Sequence, residues 1–115
     1  MTETEKRANF GRVDPFGKTY FVYILASRKH GTLYVGVTSD LPGRVYDHRA
    51  GSTPGFTTRY GVHQLVYFEM SGVIDDAIRR EKQLKRWRRA WKIRLIEESN
   101  PEWTDLFESV FWQMR

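Results

Sequence analysis

Five side chains in this sequence have types and spacings suited to chemistry: Tyr23, Tyr34, Arg44, His48 and Glu81. Tyr34 opens the triplet Tyr34-Val35-Gly36, inside an apolar stretch from Leu33 to Thr38 that alternates as a strand does. Leu33, Val35 and Val37 point to one side and read as core. Tyr34, Gly36 and Thr38 point to the other, an odd surface unless something approaches the backbone at the glycine. Arg44 and His48 are four residues apart on the helix that follows, so they share one face. Asp40 suits the N-cap of that helix, and Pro42 suits its first turn. A phenol, a guanidinium and an imidazole at one end of a strand–helix unit are groups that move protons and hold anions.

Tyr23 lies in the apolar run from Tyr20 to Leu25, a strand of aromatic and branched residues. Ala26 to Thr32 reads as a hairpin loop, so Tyr23 and Tyr34 can share one face of an antiparallel pair. Each tyrosine also has an ordinary reading, as a half-buried ring with its hydroxyl on water or a carbonyl. Glu81 belongs to a helix predicted over Val73 to Trp87, with Asp75 and Asp76 in the first turn, where the helix dipole favours acids. Ile74, Ala77, Ile78 and Leu84 form its apolar positions, and Glu81 falls inside that stripe. A carboxylate at the edge of a core needs a partner. Lys85, one turn on, is the simple one, and a bound cation is the other.

Around Glu81 the charge is dense. Lys82, Lys85, Arg86, Arg89 and Lys92 all lie between Arg79 and Arg94, where Glu81 is the only acid. A run like this is usually a solvated face. Interleaved with Trp87 and Trp91, it also suits a surface that tracks phosphates. Arg59, in the loop-like segment Gly51 to Gly61, is a further candidate phosphate contact, beside the plainer reading of an ordinary connection. The whole chain carries 19 Lys and Arg against 14 Asp and Glu. That balance favours an anionic partner such as nucleic acid.

The remaining elements must position these residues. Gln64 to Met70 reads as a third strand, and Arg88 to Ser99 as a helix that Asn100-Pro101 ends. The spacing of Trp103, Leu106, Phe107, Val110, Phe111 and Met114 predicts a C-terminal helix over 101–115. It packs back on the domain or, failing that, forms a weak homodimer surface. The expected fold is α+β. A small three-stranded antiparallel sheet is flanked by helices at Asp40–Ala50, Val73–Trp87 and Arg88–Ser99. Residues 1–18 read as a mobile arm, and 19–100 as one globular domain.

Other chemistries are poorly served. With 115 residues the chain fits one modest domain. It has no cysteine, so neither a disulfide framework nor a thiolate metal site is available. That suits a reducing compartment, and a cytoplasmic location is expected. No apolar run approaches the roughly 18 residues that span a membrane. His30, His48 and His63 lack zinc-ligand spacing. Gly17-Lys18-Thr19 resembles the end of a phosphate-binding loop, but Arg12 stands where that loop needs glycine. No serine sits in a nucleophile elbow.

Taken together, the residues resemble the GIY-YIG nuclease superfamily. Its first half-motif appears as Phe21-Val22-Tyr23 and its second as Tyr34-Val35-Gly36. Phe-Val replaces the first Gly-Ile, and the tyrosine is kept. The eleven-residue step between the tyrosines is the family's usual one. Arg44 falls ten residues after Tyr34, where members carry an essential arginine, and His48 where many have His or Tyr. Glu81, in a helix after a third strand, matches the metal-binding carboxylate. Asn100 matches an asparagine that follows it in many members, at a gap of nineteen residues that is longer than usual. The similarity covers roughly Tyr20 to Asn100 and is greatest to small stand-alone bacterial members.

The resemblance implies an endonuclease hydrolysing phosphodiester bonds in DNA, with structure-specific cleavage and repair among its contexts. It assigns Tyr23, Tyr34, Arg44 and His48 to catalysis. Glu81 would hold a single Mg²⁺ or Mn²⁺, since two-metal sites need several clustered carboxylates. Arg44 would fork onto the scissile phosphate. Either tyrosine would position or deprotonate water, and His48 would shuttle a proton or fix a tyrosine. Two other classes stay open: a non-catalytic basic nucleic-acid-binding module, and a protein-interaction domain using the C-terminal stripe.

Overall fold

The protein is described by a computed structural model covering residues 17–51, 55 and 59–109. Strands β1 (Tyr20–Ala26) and β2 (Leu33–Thr38) form a hairpin. Helix α1 (Leu41–Ala50), strand β3 (Gln64–Ser71) and helices α2 (Ile74–Arg86) and α3 (Arg89–Ser99) follow. The sheet order is β2-β1-β3, with both pairings antiparallel. The expected α+β architecture is therefore the one present. Among the described residues, no helix is long and apolar enough to cross a membrane.

The central strand explains the aromatic and branched run that forms it. β1 is covered on both sides, so both of its faces must be apolar. Val22, Ile24 and Ala26 join Val35, Ala77, Leu84 and Ile96 on one face, under α2 and α3. Phe21, Tyr23 and Leu25 join Leu41 and Val45 of α1 on the other. β3 adapts by a bulge. Ile24 pairs with Tyr67 and Leu25 with Leu65, which leaves Val66 as the extra residue. Val66 and Tyr67 thus both serve the first face, and Leu65 and Phe68 the second.

α1 starts as its sequence requires. Asp40 caps it by accepting the Gly43 N–H at 3.2 Å, and Pro42 lies in the first turn. Gly51 ends it in the left-handed conformation, with φ of 71°. α2 departs from the predicted stripe. Ile74 and Ile78 are exposed, and the helix buries Ala77 and Leu84. The half-buried positions beside them belong to charged side chains that are paired. Arg80 makes a two-pronged contact with Glu69 and lies 5.1 Å from the Trp87 ring centre.

The chain directly after α3 is not the helix its spacing predicts. Residues 101–106 are turn and irregular chain, and helix begins only at 107. Trp103 has a positive φ of 58° and is buried on the first face of the sheet. Leu106 and Phe107 pack on the second face. One helical stripe cannot serve opposite sides of a sheet, so the chain wraps around the sheet's end instead. The Leu106 N–H donates to the Leu65 carbonyl at 2.7 Å, and Asp105 pairs with Arg49. The expected arm, apart from Gly17 and Lys18, and the last six residues lie outside the described residues.

Candidate active site

The register of the hairpin brings the two tyrosines together. Tyr23 pairs with Gly36 and Leu25 with Tyr34, so the phenols are diagonal neighbours on one face. Their ring centres are 6.3 Å apart. α1 packs on that same face through Leu41 and Val45. Its arginine and histidine, one turn apart, are thereby delivered to the tyrosines. The His48 ring lies 5.3 Å from Tyr34 and 6.3 Å from Tyr23, centre to centre. The Tyr23 hydroxyl is 3.3 Å from His48 Nε2. The Arg44 guanidinium is near enough to the Tyr23 oxygen to favour its ionised form. Four of the five residues singled out by type and spacing thus form one cluster.

Gly36 makes the cluster possible. A Cβ built there would stand 2.5 Å from both Cζ and the hydroxyl oxygen of Tyr23. What approaches the backbone at this glycine is the protein's own phenol.

Burial divides the cluster into two layers. Tyr23 is 1% exposed and His48 2%, so neither presents surface to a macromolecule. Tyr34 and Arg44 are half-buried and do. Burial is the main reason that the Tyr23 phenol is pushed up to about 12, with the neighbouring Tyr34 adding to it and Arg44 opposing. Burial also pushes the His48 imidazole down. Arg44 and His63 act in the same sense, and Asp47 opposes them. At neutral pH the inner layer is therefore a neutral phenol against a neutral imidazole. Arg44 lines an open groove of about 440 Å³ along the start of α1, with Thr38, Asp40, Tyr46 and Asp47 on its walls.

Glu81 is placed differently. It lies on the α2 stripe with Ala77 and Leu84, whose cluster covers the sheet face opposite the tyrosines. Its side chain is 14% exposed, and its carboxylate is 2.9 Å from Lys85 Nζ. No group of three or more His, Cys, Asp or Glu side chains is arranged for a metal among the described residues. One carboxylate suits a hard cation that keeps most of its waters, as Mg²⁺ does, once Lys85 yields.

The remaining predicted contacts separate by environment. Lys82 and Arg86 are exposed, as is Arg59, whose guanidinium lies 5.6 Å from the Tyr60 ring centre. Lys85 holds Glu81, and Lys92 is half-buried. Arg89 is committed to the fold: its Nη2 donates to the carbonyls of His30 and Gly31, both at 2.6 Å. These bonds anchor one nitrogen of an exposed side chain on the hairpin loop. Asn100 is buried and likewise engaged. Its amide donates to the carbonyls of Val66 and Thr104 and accepts the Thr104 N–H. It shapes the turn that carries the chain around the sheet.

Two features were missed by motif reasoning. Tyr46 is exposed and lines the same groove as Arg44, which its two-residue offset on α1 did not signal. His63 acts on the charge of His48, and its Nδ1 is buried with no partner among the described residues. Nothing in its local sequence marks it.

The GIY-YIG catalytic domain model matches residues 19–94. A UPF0213 protein of Staphylococcus aureus is 40% identical over 81 residues, spanning 70% of this chain and 96% of the relative. One from Staphylococcus haemolyticus is 35% identical over 79 residues, spanning 69% and 95%. The solution NMR structure of a UPF0213 protein from Bacillus halodurans is 29% identical, with a TM-score of 0.46 over 71% of this chain and 86% of that one. With the domain model matching 76 of 115 residues, from 19 to 94 inclusive, the chain belongs to the GIY-YIG catalytic domain family.

Proposed function

We propose that the chain is a divalent-metal-dependent endonuclease that hydrolyses phosphodiester bonds in DNA. One observation carries this reading. Arg44 lines an open groove and acts on the charge of the buried Tyr23 behind it. A phosphate in that groove would meet a guanidinium beside the tyrosine cluster. Its two-pronged donors would stabilise charge as it builds on the phosphate oxygens. Tyr34, the phenol with surface to offer, orients the attacking water. Tyr23 and His48 act from beneath, as positioning residues that hold Arg44 and Tyr34. Glu81, on α2 and apart from this cluster, would hold the cation, whose chemistry when bound would be to neutralise phosphate charge. The exposed Lys82, Arg86 and Arg59 add backbone contacts.

The Lys85–Glu81 pair supports a second reading, a binding module that keeps these residues as scaffold. The deciding experiment incubates the full chain with duplex, nicked, branched and single-stranded DNA, in Mg²⁺, Mn²⁺ and EDTA. Cleavage in metal and none in EDTA is expected. Retention of intact DNA under all three conditions would favour the binding module.

A further inference from the structure

α3 carries an aromatic and basic surface that the site above does not use. Trp91 is 44% exposed, a large apolar ring left in water on the helix surface. Trp87 meets it edge to face, with ring centres 5.9 Å apart, and the Arg88 guanidinium lies 5.4 Å from its centre. Trp87, Trp91, Arg94, Leu95 and Glu98 enclose a pocket of about 300 Å³. An apolar protein segment would leave Arg88 and Arg94 facing nothing of opposite charge. A strand of nucleic acid supplies both a flat ring and flanking phosphates.

We propose that this pocket stacks one unpaired base of a single-stranded nucleic acid against Trp91, with Arg88 and Arg94 meeting the adjacent phosphates. The inference rests on nucleic acid being the partner of this chain, and it adds a substrate class: strands with at least one base free of its pair. Stacking on tryptophan is tolerant of sequence, because every base has a flat face. Glu98 is the one acid lining the pocket among the described residues, and its carboxylate accepts N–H groups on the edge of a seated base. A fully paired duplex offers the pocket nothing to stack.

The test measures binding by the full chain in EDTA, so that cleavage plays no part. The probes are a fluorescent thymidine oligonucleotide, an abasic oligonucleotide of the same length, and a blunt duplex. Trp91→Ala is expected to weaken the thymidine oligonucleotide by at least about fivefold, the low end for one lost stack. Affinity for the abasic strand and the duplex should stay within about twofold. Trp91→Phe should recover most of the loss, and unchanged circular dichroism controls for folding. Equal weakening of all three probes, or no weakening of any, overturns the proposal while leaving the nuclease reading intact. A wild-type chain that binds none of the three probes overturns this proposal and the nucleic-acid reading together.

Discussion

The phenol of Tyr23 occupies the space that a side chain on Gly36 would fill. A Cβ at position 36 would stand 2.5 Å from the phenol's Cζ and from its oxygen. The glycine and the tyrosine of two half-motifs are thus halves of one steric fit across the β1–β2 register. Gly36→Ala should therefore destabilise the fold by about 1–3 kcal/mol, the usual range for overpacking a core. Urea denaturation measures it. A shift in midpoint indistinguishable from zero would mean that Tyr23 moves aside at no cost.

His48 ties the fold to pH. Its folded value is lowered, by burial first, with Arg44 and His63 adding to the effect and Asp47 opposing it. Below the ordinary histidine range, near 6.5, the unfolded chain takes up a proton that the folded chain refuses. Unfolded protein then binds more protons, so stability falls as pH falls. The loss begins near pH 6.5 and continues down to the lowered folded value. His48→Phe should flatten this part of a stability-against-pH curve. An identical curve in the variant would place the proton elsewhere.

The basic run divides into charges held by the fold and charges free for phosphate. Arg89→Ala removes charged donors from two loop carbonyls and should cost about 1–3 kcal/mol of stability. Lys82→Ala with Arg86→Ala should leave stability within about 0.5 kcal/mol, as exposed substitutions do. The pair should instead lower the slope of log affinity against log salt by about two units. Equal salt slopes in the double variant and the parent would make these residues solvated charge alone.

Much of this arrangement was legible in the sequence. Alternation gave β2 its two faces, and i,i+4 spacing put Arg44 and His48 together. Both signals are local, set by backbone periods of two and 3.6 residues. The misread features all depend on what the chain meets far away. Trp103, Leu106 and Phe107 have helical spacing, yet they serve opposite faces of the sheet. Ile74 and Ile78 look like core and are exposed, because paired Arg80 and Glu81 take half-buried positions on α2. Arg89 reads as one charge in a run, and only the fold places the hairpin loop against it. Tyr23 and Tyr34 look equivalent as motif tyrosines. Burial separates them, and burial depends on what covers the strand.

Glu81 tests the cation. Glu81→Gln keeps the shape but removes the charge, and it frees Lys85. Cleavage should fall to background in Mg²⁺ and Mn²⁺, and DNA binding in EDTA should hold or tighten, since the net charge becomes more positive. Mn²⁺ binding followed by electron paramagnetic resonance should weaken in step. Full activity in the variant would leave the Lys85 ion pair as the whole purpose of this carboxylate.

Arg44 carries the central claim, that the groove holds a phosphate undergoing reaction and not merely a bound one. Lysine at position 44 keeps the charge and loses the planar two-pronged geometry. Single-turnover cleavage and filter binding on one substrate separate the two roles for Arg44→Lys. Binding within a few-fold of the parent, with the rate lowered by about 10²–10³, is the predicted result, since a preorganised donor acts mostly in the transition state. Loss of binding in step with rate would contradict the account and make Arg44 a residue that only holds the nucleic acid.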